Sequence, residues 1–554
     1  MDIGIAARFF ALDNAIAHRG KAQPGAVIGR LMSEFPEMRE RSKEASALAA
    51  KACAEVNSMP SAEQRAEHER LAPQMPKREK AAKRTELPDL PGVEGGVVMR
   101  LAPNPSGLLH LGHTRMAILN DEYVKRYGGK LIVRMEDTNP SAIHPDAYDA
   151  IPKDLDWLGV MYDEVCFQSD RFDLYCDAAE RLLEKKCAYV CTCDQEVWRT
   201  LKLKEEPCPH RGAPAKDNIA LWKKMLDGNL QEGDAIMVVK TDLSHKNPAV
   251  RDFAAFRILD TAHPRTGSKY RVYPTYNFAV AVDDHLMGMT HVLRGKDHLN
   301  NTIRQEYVFD HMGWKKPVFI HYGWVSIEEA VLKKSLIKES VKDGTYSGWD
   351  DVRLGTVQAL AKRGIHPGAI RQYWIDVGIK EVDITFSWDN LYAYSRELLD
   401  PVAFRYFFVA DPQPMEIIGA PPLEAKVPRH PDRPEDGMRT LHSGADGVVY
   451  ISGDDLSFMQ PGAVIRLKDL GNVKVTAPGK AEYIGNDRSV LKSGAKIVHW
   501  LGAEREPFRV QMPDGEWREG FVEPEALSQQ GKVVQFERFG FTRIEGREGY
   551  YAHR

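Results

Sequence analysis

No stretch of this chain approaches the roughly 20 consecutive apolar residues that a bilayer-crossing helix needs, so no membrane partner is expected. A dominant charge of one sign is also missing. Lys and Arg number 75 against 79 Asp and Glu, a formal net charge of −4, and any nucleic-acid binding must therefore come from local patches. Cysteine is scarce, with seven residues, and they do not form the pattern of a disulfide framework. Four fall between positions 187 and 208, which fits a reducing cytoplasm and a metal site better than secretion. The opening MDIGIAARFF lacks a basic n-region and a cleavage signal, so export is not expected.

What is present is ordinary for a globular protein. Hydrophobic residues make up 43% and charged residues 28%, and the length suggests roughly three or four domains. The most informative stretch is GVVMRLAPNPSGLLHLGH, residues 96–113. Val97–Met99 reads as a short buried strand that cannot continue through Pro103, Asn104, Pro105, Ser106 and Gly107. A helix follows from about Thr114 to the Gly128-Gly129 pair. His110 and His113, flanking Gly112, thus lie where a strand hands over to a helix N-terminus. Free amide N–H groups and the positive end of the helix dipole attract phosphate at such a place.

From Gly95 strand and helix signals alternate. KLIVRMEDTNP is a strand ending in Glu136, and AYDAIPKDLDWLGV and RFDLYCDAAERLLEKK are amphipathic helices. This alternation predicts βαβ units and a parallel sheet, with ligands beyond the carboxyl ends of the strands. Arg100, Asn104, His110, His113 and Glu136 all fall at such ends. Further on, Tyr273 and Tyr276 mark a strand-to-helix junction, and HVLRGKDH ends a strand at Arg294. Lys333 and Lys334 sit beside a glycine-bearing turn, as flexible cations suited to a transient polyphosphate.

Between these pieces the α/β pattern is interrupted. Cys191-Thr-Cys193 is followed after fourteen residues by Cys208-Pro-His210. Two pairs of soft ligands at this spacing match a closed, structural zinc site, with Cys187 in reserve. Residues 1–94 read as a separate helical extension ending in a basic run, PKREKAAKR (76–84), and a proline-rich linker. Such a run is usually a solvated helix face; the alternative is an appendage that docks RNA or a protein partner. Beyond about residue 401 short strands alternate with Gly, Asp and Pro turns, which predicts β-barrels. Trp500, Phe508, Arg509, Phe536 and Arg538 recur there, fit either for barrel core and solubility or for stacking on bases and holding phosphates.

RLAPNPSGLLHLGH, RMEDTNP, YPTYNFAVAVDDHL, HVLRGKDH and YSGWDDVRL, in this order, resemble the class I aminoacyl-tRNA synthetases. Within them they are most similar to the archaeal-type glutamyl branch, a relative of the glutaminyl enzymes. The resemblance implies a Rossmann-like α/β catalytic domain (95–182 and 251–325) split by an acceptor-stem insertion bearing the zinc site (183–250). It further implies a helical stem-contact region with a KMSKS-like loop (326–400) and anticodon-binding β-barrels (401–554).

By the same resemblance His110, Gly112 and His113 form the HIGH-type motif at the ATP phosphates. Lys334 stands at the second lysine of the KMSKS loop, while Val331 and Lys333 occupy its first-lysine and serine positions. Arg100 and Arg294 match the arginines that hold the amino acid's carboxylates, Glu136 the acid for its ammonium, and Tyr276 lines the pocket. Asn104 replaces a serine common in bacterial relatives. The implied reaction is ATP-dependent activation of L-glutamate, with Mg²⁺ accompanying the nucleotide, and transfer to the 3′ end of tRNA-Glu. The archaeal type extends the expectation to tRNA-Gln. An arginine at 294 favours an anionic side chain over glutamine. The competing readings are a glutaminyl enzyme, an HxGH nucleotidyltransferase that does not act on tRNA, and a non-catalytic tRNA-binding homologue.

Overall fold

The computed structural model describes residues 2–17, 20–74, 86–328 and 330–554; the basic run at 76–84 lies outside them. The chain divides into two compact units, the first ending at Lys83. Within the first, helices α1 (Ile3–Ala17), α2 (Pro24–Glu34), α3 (Ser42–Asn57) and α4 (Ser61–Leu71) enclose a small core of their own. Phe10, Leu12, Val27, Leu31 and Val56 are buried there, so the helical spacing read along this segment marks a real bundle.

The second unit opens with residues that look like a linker but are not free. Leu87 and Leu90 are buried in the same core as the first strand, and Tyr123 and Arg126 fasten the backbone of Pro88 and Leu87. Two well-spaced leucines thus turn a proline-rich segment into part of a packed wall.

The α/β body follows as β1 (Val97–Leu101), α5 (Leu111–Tyr127), β2 (Gly129–Met135), α6 (Ala147–Trp157) and β3 (Glu164–Phe167), all three strands parallel in the order β1-β2-β3. After α7 (Phe172–Glu184) the chain leaves this sheet. It builds an antiparallel one from β4 (Ala188–Cys191), β5 (Ile236–Val239), β6 (Phe253–Ile258) and β7 (Val272–Pro274), with α8 (Gln195–Leu203) and α9 (Ala215–Leu226) between β4 and β5. It returns through α10 (Tyr276–Leu286) to β8 (His291–Gly295), α11 (Leu299–Met312) and β9 (Val318–Tyr322), where β8 and β9 pair in parallel. Thr290, just ahead of β8, accepts from Val98 N through its hydroxyl and donates its own N–H to Val98 O. The two parallel sheets thereby meet edge to edge at β1, so every site strand delivers its carboxyl end to one side.

Helices α12 (Lys334–Lys342), α13 (Val357–Arg363), α14 (Pro367–Val377) and α15 (Trp388–Leu399) come next. The last three share the core of the α/β body, where Trp374 is fully buried and donates to Thr114 Oγ1 at 2.7 Å.

From Arg405 the chain is built mainly of β-strands, in a seven-stranded, a six-stranded and a two-stranded sheet. The sequence reading of strands separated by Gly, Asp and Pro turns agrees with this. Of the two readings of the recurrent aromatics, barrel core is the one that holds for Trp500, Phe508 and Phe536, which are at most 3% exposed and fill the interiors. Trp500 Nε1 donates to Lys468 O at 2.9 Å, and Phe408 stacks on Phe536 with centroids 5.2 Å apart. Strands alternate the faces of their side chains, and Phe508 and Phe536 take the buried face. Arg509 is paired to Glu548 and lies over the Trp517 ring, and Arg538 is forked onto the buried Asp455.

Candidate active site

The floor of the site is the turn between β1 and α5. The helix begins at Leu111, three residues before the position expected from periodicity, because His110 is its N-cap. Its Nδ1 accepts from Gly112 N at 3.1 Å, and His113 Nδ1 accepts from His110 N at 3.2 Å. A backbone N–H can only donate, so both imidazoles accept at Nδ1 and carry their proton on Nε2. Burial pushes His110 down to about 4 and His113 well below its ordinary range, with Lys334 adding to both shifts. Both rings are therefore neutral donors at physiological pH, in contact with centroids 3.8 Å apart and planes tilted by 42°. Gly112 suits this packing, since a Cβ there would meet the His110 ring at 3.0 Å and press it aside.

Lys334 reaches the same floor from α12. Its Nζ donates to Gly107 O at 3.0 Å, and burial, partly opposed by Asp154, lowers it to about 8. Gly107 lies so close to Trp349 that a Cβ would meet the indole at 2.8 Å. The segment after Trp349 also seals the turn, as Leu111 N donates to Gly355 O and Thr356 bridges to His110. The two lysines read together in the sequence differ in placement. Lys333 is exposed and caps α12, while Lys334 is drawn inward.

The second wall is a buried set of charges that sequence reading did not assemble. Asp284, on α10, accepts from Arg100 Nε at 3.0 Å and from Arg134 Nη1 at 2.8 Å. Arg134 also donates to Glu136 at 3.2 Å. Burial alone would raise the Asp284 carboxyl, but Arg100 and Arg134 override it and hold it below its usual range. For Glu136 burial wins and its pKa is raised, against the pull of Arg134 and Arg100. Asp284 was legible only as part of the VDDHL run and Arg134 only as part of RMED, because partners 150 residues apart leave no local pattern.

Tyr276 is the first residue of α10 and its hydroxyl lies 3.3 Å from His298 Nδ1. Arg294, 4% exposed at the end of β8, feels the charges of Tyr276, Arg100, Asp284 and Glu136. Its Nη2 donates to Thr302 and Gln305, while Nε and Nη1 have no hydrogen-bond partner among the described residues. Buried guanidinium N–H groups left open in this way call for an anion. Asn104 is exposed on the loop above the floor.

At the other predicted site, Cys191, Cys193, Cys208 and His210 converge, their ligand atoms all within 4.8 Å of one another. Cys191 Sγ lies 3.3 Å from Cys208 Sγ, and His210 Nδ1 is 3.4 Å from Cys193 Sγ. Donors about 2.0–2.3 Å from zinc in a tetrahedron stand roughly 3.4–3.8 Å apart, so the spacing fits. His210 Nε2 is held by Thr192 Oγ1 at 3.0 Å, which orients the ring. Cys187 is not in the cluster; its thiol donates to Lys185 O.

An H-x-G-H helix start, an inward lysine and the buried Arg100, Arg134 and Arg294 thus lie on the carboxyl side of parallel strands, an arrangement suited to an anionic ligand. The chain matches the family described as "tRNA synthetases class I (E and Q), catalytic domain" over residues 96–401, and the corresponding anti-codon binding domain over 403–486. It is 46% identical over 572 residues to the glutamate–tRNA ligase of Pyrococcus abyssi, covering 100% of both chains. It is 49% identical over 555 residues to that of Methanocaldococcus jannaschii, covering 98% of this chain and 99% of the other. A solved glutamate-tRNA synthetase from Elizabethkingia anophelis aligns with 22% identity and a TM-score of 0.40 over 56% of this chain and 71% of its own. The chain belongs to the class I tRNA synthetases of the glutamate and glutamine branch.

Proposed function

We propose that this protein is a glutamate–tRNA ligase, which activates L-glutamate with ATP and transfers it to the 3′ end of tRNA-Glu. The observation that carries the choice of glutamate is Arg294, buried, cationic and with Nε and Nη1 lacking a hydrogen-bond partner among the described residues. A neutral amide there would leave that charge uncompensated.

The glutamate α-carboxylate attacks the α-phosphorus of ATP in line, and pyrophosphate leaves. The terminal ribose hydroxyl of the tRNA then takes the glutamyl group from the adenylate. The carboxylate is already a nucleophile, so the protein need not supply a base for activation, and rate must come from positioning and charge stabilisation. His110 and His113 offer Nε2–H donors to the phosphates, Lys334 supplies the positive charge, and Gly112 lets the nucleotide approach the helix start. Arg100 and Arg294 take the two carboxylates, Glu136 the ammonium, and Tyr276 and Asn104 border the pocket. Arg100 is turned onto Asp284, so it offers substrate only the N–H groups that this pairing leaves.

Mg²⁺ would enter with ATP, held largely by phosphate oxygens and water. Cys191, Cys193, Cys208 and His210 would hold zinc, whose four protein ligands leave no open position and make it structural. The barrels would contact the anticodon, and the archaeal kinship extends the substrate range to tRNA-Gln. None of the seven cysteines is in a disulfide. The N-terminal unit is assigned no partner; Arg8 is paired with Glu55 and Glu67, and Arg30 with Asp13.

ATP–pyrophosphate exchange in the presence of tRNA-Glu, run with glutamate and glutamine side by side, tests the proposal. Glutamate alone should support exchange; activity with glutamine and none with glutamate would overturn it.

A further inference from the structure

The orientation of Arg294 depends on a residue that none of the roles above includes. Arg294 Nη2 donates to Thr302 Oγ1 at 2.5 Å and to Gln305 Oε1 at 2.8 Å, so both its protons are engaged. Beyond the guanidinium, the Phe319 ring lies 5.3 Å from Cζ. Gln305 is fixed in turn by donating to Asn277 Oδ1 at 3.3 Å. Thr302 is fixed by His321, whose Nε2 stands 2.9 Å from its hydroxyl at the penultimate position of β9.

A hydroxyl has one proton and two lone pairs. One lone pair of Thr302 Oγ1 takes the Arg294 N–H. A carbonyl can only accept, so the Thr302 proton goes to His298 O in the weaker contact at 3.3 Å, and the other lone pair takes the Nε2–H of His321. Removing the imidazole leaves only that weaker contact to set the hydroxyl rotor, and the acceptor beneath Arg294 loses its fixed direction. Burial and the neighbouring Arg294 push His321 down to about 4, so the ring is neutral and adds no second cation beside the guanidinium.

We propose that His321 is a positioning residue for amino-acid selection: through Thr302 it aims Arg294 at the glutamate side chain. This rests on the reading that Arg294 takes the side-chain carboxylate, and the experiment separates the two. Aminoacylation by the full-length enzyme is measured with tRNA-Glu, varying glutamate and ATP in turn. His321→Phe should raise the glutamate KM about tenfold, the size of one lost orienting hydrogen bond, with the ATP KM and kcat within about twofold. His321→Gln, which returns a polar atom near the place of Nε2, should recover most of the loss. Thr302→Val should match His321→Phe, and the double variant should add little to either, as residues on one path do. Thermal melts of each variant establish that it is folded.

A glutamate KM unchanged in both His321→Phe and Thr302→Val overturns the proposal, as does an equal rise in the ATP KM, which would mark general damage to the site. Arg294→Gln addresses the underlying reading. If it leaves the glutamate KM and the preference over glutamine intact, that reading fails. If it abolishes the preference while His321→Phe changes nothing, only the role of His321 fails.

Discussion

Lys334 Nζ donates to the carbonyl of Gly107, 227 positions earlier in the chain, and so joins the KMSKS-like segment to the histidine floor. Lys334→Ala should lower kcat for ATP–pyrophosphate exchange by about 10²-fold or more, the usual cost of losing one charge-stabilising group. Lys333→Ala, at an exposed residue, should stay within about threefold of wild type. Equal losses in both variants would show that the inward position of Lys334 is not what matters.

The pH profile of kcat/KM for magnesium–ATP reports the free enzyme. Lys334 must be protonated to meet phosphate and is lowered by burial to about 8, so activity should fall as pH rises through that value. His110 is pushed down to about 4, so no enzyme limb should appear near pH 6.5, where an ordinary histidine titrates. Lys334→Arg should carry the alkaline limb upward, and a limb that stays in place would assign it to another group.

Elemental analysis of the purified chain should find one zinc per molecule, and Cys191→Ser should lose it. Metal removal should lower the melting temperature and expose the insertion to protease, because such a site contributes directly to folding. Wild-type protein without zinc would remove the metal from this reading.

Trp500→Ala should destabilise the barrel by about 3–5 kcal/mol in denaturant unfolding, as for other large buried aromatics. Its tRNA affinity, measured well below the transition, should change little. A selective loss of affinity with unchanged stability would restore a base-stacking role to a side chain buried at 0% exposure.

Much of the architecture was readable in the sequence because apolar periodicity and turn chemistry are local. The parallel strands, the antiparallel insertion's cysteine pairs and the glycine-punctuated barrels all announce themselves within a dozen residues or so. The start of α5 was misplaced because histidine is not among the usual N-caps, and only its Nδ1 geometry shows it acting as one. Arg134 and Asp284 stayed hidden because charges inside a strand and a helix mean nothing until distant partners are known. The aromatics after residue 500 could not be sorted into core and surface until the closing sheets decided which faces point inward.

The join between β1 and β8 also bears on how the enzyme is made. Val98 meets Thr290 across 192 residues, with the whole cysteine-bearing insertion synthesised in between. Local helices can form as they emerge, but this central seam is a non-local pairing of the kind that slows folding. On the ribosome, β1 must wait with one edge open until β8 arrives. The floor stays unclosed until Lys334 has followed. Early folding of the insertion would draw the two halves together and shorten that loop.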